Sequence, residues 1–458
     1  MGCSYCELDQ YTRKLICYNC VDFMNIITVT LGTILNRLPY ILIPKIGLQY
    51  RKCQTDIKTY DASMNKKEWI FKRFYNIVNY AITNIPFYQE FYKSHNFNIE
   101  QLKCFDDIGK VPIVHKSDLI DVPLEQRSNL AFANYLANTG GSTGSPFIFY
   151  RSPIQRIKAM AFYHNAWKRL GYKKNKLRLQ FVGRQEKQGC IYDFKRNQIR
   201  VSAYESFDNV LREITKVNTF RMLEYLQGYP SVLYEFALFC ADHKDLYEQS
   251  KLPKSLRGIF LNSEYPNPIF RDTIESVFGV KTIASYGLSE GCALAFDDGS
   301  GFYEIDQSYS YVEAIDVSGE KHLVGTCYDN YVAPLIRYDT NDVVEMFTSD
   351  ENILQTFRMD SGGRSGQYIL DINDRRVSLT GLIFGKHHQL FSYCTQLQVG
   401  QVEKGLATIY YVPKCELPVD FDPALLFDTS GIDIRFEFVA MTQPIRTVSG
   451  KVLLLVNQ

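Results

Sequence analysis

The sequence has no surplus charge of either sign: 51 Lys and Arg stand against 50 Asp and Glu, a formal net charge of +1. A nucleic-acid-binding face needs clustered basic charge, so composition gives no case for such a partner. Long apolar runs are also missing. Asn25, Asn36, Arg37, Pro39 and Pro44 interrupt the most apolar segment, Phe23–Leu48, and no run of 18 apolar residues survives. That argues against a spanning helix and leaves two readings, core packing or an amphipathic helix resting on a membrane face. Nothing at the start resembles a signal peptide, because Cys3, Tyr5, Cys6, Glu7 and Asp9 precede any apolar run. Internal repeats and low-complexity tracts are absent.

What is present suits a large packed core. Hydrophobic residues make up 46% of the 458 positions and charged ones 22%. Such a length predicts two to four domains, at roughly 150 residues each. The 12 cysteines read as reduced thiols rather than a secreted disulfide framework. Two Cys-x-x-Cys pairs, Cys3/Cys6 and Cys17/Cys20, have the ligand types of a structural zinc site; they also read as ordinary thiols in an unstructured leader.

Along the chain, Trp69, Ile70, Phe74, Ile77, Val78 and Ala81 recur at helical spacing from Lys66, and Pro86 ends that run. Ile154–Leu170 predicts a helix and Lys176–Val182 a strand. Phe207–Leu226 reads as helices, Leu256–Leu261 as a strand, Phe270–Phe278 as a helix and Lys281–Ser285 as a strand. Strands alternating with helices argue for an α/β class. After Tyr338 short strand candidates dominate, which predicts a smaller α+β domain. The expected division is a Cys-containing leader and apolar segment over 1–60, a large domain over 61–355 and a small C-terminal domain over 356–458.

Five stretches carry candidate chemistry. The first, Thr139-Gly140-Gly141-Ser142-Thr143-Gly144, combines flexible backbone with hydroxyl donors, the makings of a phosphate cradle or of a plain loop. No Gly-Lys-Ser/Thr follows, so it is not a Walker A loop. The second runs from Asn262-Ser263-Glu264 to Tyr286-Gly287-Leu288-Ser289-Glu290, where a carboxylate suits Mg²⁺ or simply caps a helix. The third is Arg337-Tyr338-Asp339-Thr340-Asn341-Asp342, an acid at a strand end able to accept ribose hydroxyls. Gly362-Gly363-Arg364-Ser365-Gly366 reads as a junction, and Ser449-Gly450-Lys451 as a mobile cation or a surface lysine. Phe181–Arg184 and Asn262–Pro266 are candidates for lining an acyl pocket.

In this order the five stretches resemble the adenylate-forming superfamily, most of all its phenylacetate–CoA ligase branch and the CapK-like proteins of capsular polysaccharide clusters. The likeness runs from about Lys66 to the C-terminus. It implies a large N-terminal layered α/β domain and a small mobile C-terminal α+β domain. It further implies that a carboxylate attacks the α-phosphate of ATP, and that a thiol, amine or hydroxyl, from CoA or a sugar, then takes the acyl group. By the family's pattern Thr139–Gly144 hold the β/γ-phosphates, and Tyr286, with Gly287, stacks on adenine. Glu290 binds Mg²⁺, Asp342 with Arg364 beside it holds the ribose, and Lys451 bridges carboxylate and α-phosphate. Glu264 flanks the nucleotide. The setting implied is the cytoplasm or the inner face of the membrane, in surface polysaccharide synthesis.

Three departures from the pattern stand out. Phe147 occupies a position where many relatives carry lysine, Asn341 replaces a glycine, and Ser365-Gly366-Gln367 lacks a charged hinge pivot. They keep two alternatives open, an aryl- or acyl-CoA ligase and a catalytically degenerate binding subunit.

Overall fold

The computed structural model describes residues 32, 34–38, 42, 46–138, 147–182, 190–193, 196–317, 319–364, 368–384, 388–418, 420–430, 432–446 and 452–456. Helices α1 (Gly47–Asp61), α2 (Lys66–Asn84) and α3 (Pro86–Ser94) precede the sheets. The Asn65 side chain caps α2 by accepting from the Glu68 amide at 3.0 Å. The predicted face is the buried one: Ile70, Phe74, Ile77, Val78 and Ala81 are fully enclosed. Pro86 ends α2 and also opens α3, where its missing N–H has no helical partner to lose. After α4 (Lys116–Ile120), strands β1 (Tyr135–Asn138) and β2 (Ile148–Arg151) pair antiparallel on either side of the glycine-rich stretch.

An α/β alternation follows. It comprises α5 (Pro153–Trp167), β3 (Leu177–Val182), β4 (Cys190–Asp193), β5 (Gln198–Ser202), α6 (Phe207–Asn218) and β6 (Leu223–Gly228). It continues with α7 (Pro230–Asp242), β7 (Gly258–Asn262), α8 (Pro268–Phe278) and β8 (Thr282–Gly287). Leu223–Leu226 is therefore strand, not the end of a helix. Its backbone is claimed on both sides, by β3 and by β7. The antiparallel strands β9 (Leu294–Asp297), β10 (Tyr303–Ile305), β11 (Tyr311–Val317), β12 (Glu320–Thr326), β13 (Tyr338–Asp350) and β14 (Ile353–Arg364) complete a 12-stranded sheet. Its order is β11-β12-β13-β14-β10-β9-β8-β7-β6-β3-β5-β4, with β5, β3, β6, β7 and β8 parallel.

Helices cover both faces of the parallel block. On one face α6, α7 and α8 bury Leu211, Ile214, Leu233, Phe236 and Ile274 against it. On the other, α5 and α1 pack Phe162, Trp167 and Ile57 onto Tyr225, Phe260 and Ile283. Trp167 stacks on Phe260 at 4.1 Å, and Tyr225 on Phe260 at 5.3 Å. Such pairs add about 0.5–1.5 kcal/mol beyond their area burial.

Beyond Arg364 the chain builds separate sheets, β15 (Tyr368–Leu370) with β16 (Arg376–Ser378), and β17 (Cys394–Glu403), β18 (Leu406–Pro413) and β19 (Arg435–Ala440). They share their own apolar cluster around Leu382, Leu390, Leu397, Val399 and Ile409. The division expected after residue 355 falls inside β14, which belongs to the large sheet. Among the described residues no helix is long and apolar enough to cross a membrane. The cysteines described are all free thiols.

One buried ion pair ties α5 to the loop before β13. Lys158, 2% exposed, donates to Asp329 and lies over the Tyr309 and Tyr328 rings. Burial alone pushes the Asp329 carboxyl up, but the Lys158 charge and hydrogen bond carry it below its ordinary value. Burial likewise opposes the charged Lys158, but the Asp329 charge and hydrogen bond together with the nearby Cys327 and Cys53 outweigh it, so the ammonium is held more firmly than usual. The lowered carboxyl stabilises the fold above its unfolded pKa of about 3.9, and that contribution disappears as pH falls through the folded value. The raised ammonium contributes below about 10.4, and its share is lost as pH rises through the folded value. Lys158→Met, which strands the carboxylate, is expected to cost about 3–5 kcal/mol in urea unfolding at neutral pH. Near pH 3 the difference from wild type narrows. A cost that stays the same at both pH values contradicts the pairing.

Candidate active site

The carboxyl ends of β6, β7 and β8 lie side by side, finishing at Gly228, Asn262 and Gly287. Open α/β sheets bind ligands at such ends. From β8 the chain turns through Leu288–Gly291, closed by the Gly291 amide donating to the Leu288 carbonyl at 3.0 Å. Gly291 has φ +73°, and a Cβ there would sit 2.9 Å from Arg151 Nη2 and 3.2 Å from Gln155 Oε1. Glycine thus serves both the turn and the close approach of Arg151. Glu290 precedes it, 8% exposed, with the Tyr338 hydroxyl reaching its Oε1 at 3.5 Å.

Asp342 stands on β13, 3% exposed. Its amide donates to Thr340 Oγ1 at 3.2 Å, and its Oδ2 accepts from the Tyr286 hydroxyl at 2.7 Å. Burial and the Asp342 charge hold the Tyr286 hydroxyl protonated well above the ordinary tyrosine range. The Tyr286 ring packs edge-on against Phe357 at 5.2 Å and lies 6.0 Å from Tyr303. Asp342 also pairs across the β13–β14 hairpin with Arg364, whose backbone alone is described.

Asn341 explains one departure in the sequence. It has φ +56°, and its amide donates to Asp339 Oδ1 at 2.9 Å. A left-handed position suits glycine best, and asparagine tolerates it better than most residues. Asn341→Gly should leave the thermal midpoint near wild type. Asn341→Val should cost about 1–2 kcal/mol and displace Asp342; equal behaviour of the two variants would contradict this reading. Phe147 is explained by packing. It is 1% exposed and stacks with Phe149 and Tyr338, and the Arg127 guanidinium lies 4.9 Å from its ring centroid.

Glu264 follows Ser263, itself in the left-handed region at φ +68°. Its Oε2 accepts from the Ser231 amide in the first turn of α7, and its Oε1 from the Val452 amide, both at 3.1 Å. Nearby on α7, Glu235 takes both of its oxygens to Arg446 Nη2, at 2.7 and 2.8 Å, and Gln396 Nε2 at 3.2 Å. Burial raises the Glu235 carboxyl even so. These bonds seat the C-terminal segment on the strand ends. Val452 directly follows Lys451, which lies outside the described residues, as do Thr139, Gly140, Gly141, Ser142, Thr143, Gly144 and Arg184.

The structure brings together Tyr286 and Asp342, and places Glu264 against the C-terminal segment. Glu235 is the residue sequence reading missed; an acid inside an apolar helix, five positions after Pro230, was its only signal. Among the described residues no group of three His, Cys, Asp or Glu side chains is arranged to hold a metal. Cys3, Cys6, Cys17 and Cys20, read as a zinc site or as ordinary thiols, lie outside the described residues. For Mg²⁺ the fit is adequate: Glu290 offers a hard carboxylate oxygen, and that ion usually takes its other ligands from phosphates and water.

No family model matches the chain. Two solved structures of 2-hydroxyisobutyryl-CoA ligase in the postadenylation state align over 86% of this chain and 90% of theirs at 16% identity, with TM-scores of 0.63 and 0.64. One is in complex with R3-HIB-AMP and the other with 2-HIB-AMP. The chain has the adenylate-forming fold. An open conformation of the same ligase, in complex with 2-HIB-AMP and CoA, aligns over 86% of this chain and 92% of its own at a TM-score of 0.53. Protein CapK of Staphylococcus aureus is 27% identical over 287 residues, 60% of this chain. The match spans only 62% of that relative's own length. The β6–β8 strand ends and the Tyr286–Asp342 bond together make up the candidate site.

Proposed function

We propose that the protein is an ATP-dependent, AMP-forming ligase. A carboxylate oxygen of its acid substrate attacks the α-phosphorus of ATP, the bond to the bridging oxygen breaks, and pyrophosphate leaves. The acyl-adenylate then passes its acyl group to a thiol, amine or hydroxyl. The observation that carries this reading is the Tyr286–Asp342 hydrogen bond at the end of β8, within the adenylate-forming fold. In it Asp342 accepts from the ribose hydroxyls, and the Tyr286 hydroxyl fixes which way the carboxylate faces. Thr139–Gly144, between β1 and β2, cradle the β/γ-phosphates, with Arg364 on the ribose side. Mg²⁺, held by Glu290, neutralises phosphate charge when bound. Lys451 supplies a cation to the α-phosphate, where negative charge builds in the transition state.

Of the expected 356–458 region, the part beyond β14 acts in this reading as a small mobile domain on the body that holds the large sheet. Its grip on the body includes the polar contacts Arg446–Glu235, Gln396–Glu235 and Val452–Glu264, which would be exchanged during a cycle. The likeness to CapK supports a place in capsular or surface polysaccharide synthesis, with a sugar amine or hydroxyl as acceptor. A second reading, an acyl-CoA ligase, is favoured by the CoA in the open structure of the fold neighbour. Pyrophosphate release from ATP across a panel of acids, with and without CoA, hydroxylamine and amino sugars, tests both. Acid-dependent pyrophosphate release is the expected result. Turnover stimulated by CoA selects the CoA ligase, and turnover stimulated only by amines selects the sugar acceptor. Absence of any acid-dependent release overturns the ligase and leaves a binding subunit.

A further inference from the structure

We infer that the acid this protein activates carries hydrogen-donating groups, hydroxyl or amino, on its acyl portion. The inference rests on the ligase reading and names the substrate class of that same site. It starts from the sheet face that α5 covers. Side chains alternate along a strand, so Arg178, Tyr225, Phe260 and Ile283 point to this face, and aromatic packing fills it. Towards the strand ends the same face turns polar: Gln180 and Gln227 stand level with Phe260, and Asn262 and Ser285 lie two residues beyond Phe260 and Ile283. Gln180 is level with Gln227, and Asn262 with Ser285.

Ser285 is satisfied: it donates to the Leu261 carbonyl at 3.2 Å and is hydrogen-bonded with Tyr163 of α5. The two amides between are not. Gln227 is 8% exposed, yet its Oε1 has no hydrogen-bond partner among the described residues; Asn262 Oδ1 is likewise buried and unpartnered. Ser231 Oγ, just past the end of β6, is a third such atom in a residue 2% exposed. Buried polar atoms left unpartnered are costly, and these three lie at the ends of β6 and β7, where Glu264 accepts from the Ser231 amide. Carbonyl oxygens of this kind, on one face of the neighbouring strands β6 and β7, repel a second carboxylate and gain nothing from an alkyl or aryl group. They are complementary to O–H or N–H donors.

ATP–pyrophosphate exchange with matched acids tests this: glycerate and alanine against propionate, 4-hydroxybutyrate against butyrate, gluconate against hexanoate, and phenylacetate. The donor-bearing member of at least one pair should be preferred by about 100-fold or more in kcat/KM. Gln227→Leu should cut that acid's kcat/KM about 10- to 100-fold, more than that of its plain counterpart, so the preference collapses. Asn262→Leu should do the same, and the wild-type ratio decides the matter if either variant fails to fold. Exchange that favours propionate, butyrate, hexanoate or phenylacetate overturns the inference and leaves the ligase standing. Exchange with none of the acids overturns the ligase, and the inference with it.

Discussion

Replacing Lys451 with alanine should slow acyl-adenylate formation about 100- to 1,000-fold, the usual loss when one group aimed at developing charge is removed. The physical argument is differential. In the ground state the α-phosphate already carries charge that other groups neutralise; as the carboxylate oxygen attacks, charge grows on the non-bridging oxygens. A cation placed there strengthens its interaction only at that moment, so kcat falls while the KM for ATP changes little. The next residue, Val452, is gripped by Glu264 at the strand ends, which is why a lysine near the end of the chain can serve this site. Consumption of preformed acyl-adenylate by an acceptor should be unaffected in the same variant. Stopped-flow measurement of pyrophosphate release, beside a separate assay of the transfer half-reaction, distinguishes the two steps. An unchanged first step would falsify the assignment.

Removing Asp342 has the second largest expected effect. In the proposed role, Asp342→Ala would lose the acceptor of two ribose hydroxyls, each bond to a charged group being worth about 1.5–3 kcal/mol. The kcat/KM for ATP should fall at least 100-fold, most of it in KM. Tyr286→Phe keeps the ring against Phe357 but removes the donor to Asp342. A milder loss of about 10-fold is expected, on the scale of one such bond. Nucleotide discrimination separates this from general damage. Wild type should use 2′-deoxy-ATP poorly, whereas Asp342→Ala should handle ATP and 2′-deoxy-ATP alike. A variant that still discriminates shows that the ribose is held elsewhere.

The local chemistry of several elements was plain in the sequence. The α2 face follows from the spacing of Ile70, Phe74, Ile77 and Ala81, and the five parallel strands lie within an alternation that apolar runs and Gly/Pro turns mark. Leu223–Leu226 was misread because a short apolar run fits helix or strand equally; its neighbours β3 and β7 decide, and they are far away in sequence. The change of texture after Tyr338 put the expected division at 355, inside β14, whereas register keeps β13 and β14 together in the large sheet. Site residues were legible as residue types in order, not as contacts. The Tyr286–Asp342 bond spans 56 positions, and no periodicity predicts it. Asn341 was visible only as an oddity until its φ of +56° gave the reason.

The central claim is that the acid's own oxygen ends up on AMP. Turnover with an ¹⁸O-labelled carboxylate, using the best acid from the exchange panel and hydroxylamine as acceptor, reads this directly by mass spectrometry of the products. One labelled oxygen in AMP, with unlabelled pyrophosphate, is the predicted result. Label in inorganic phosphate with release of ADP, or AMP carrying none, would contradict it.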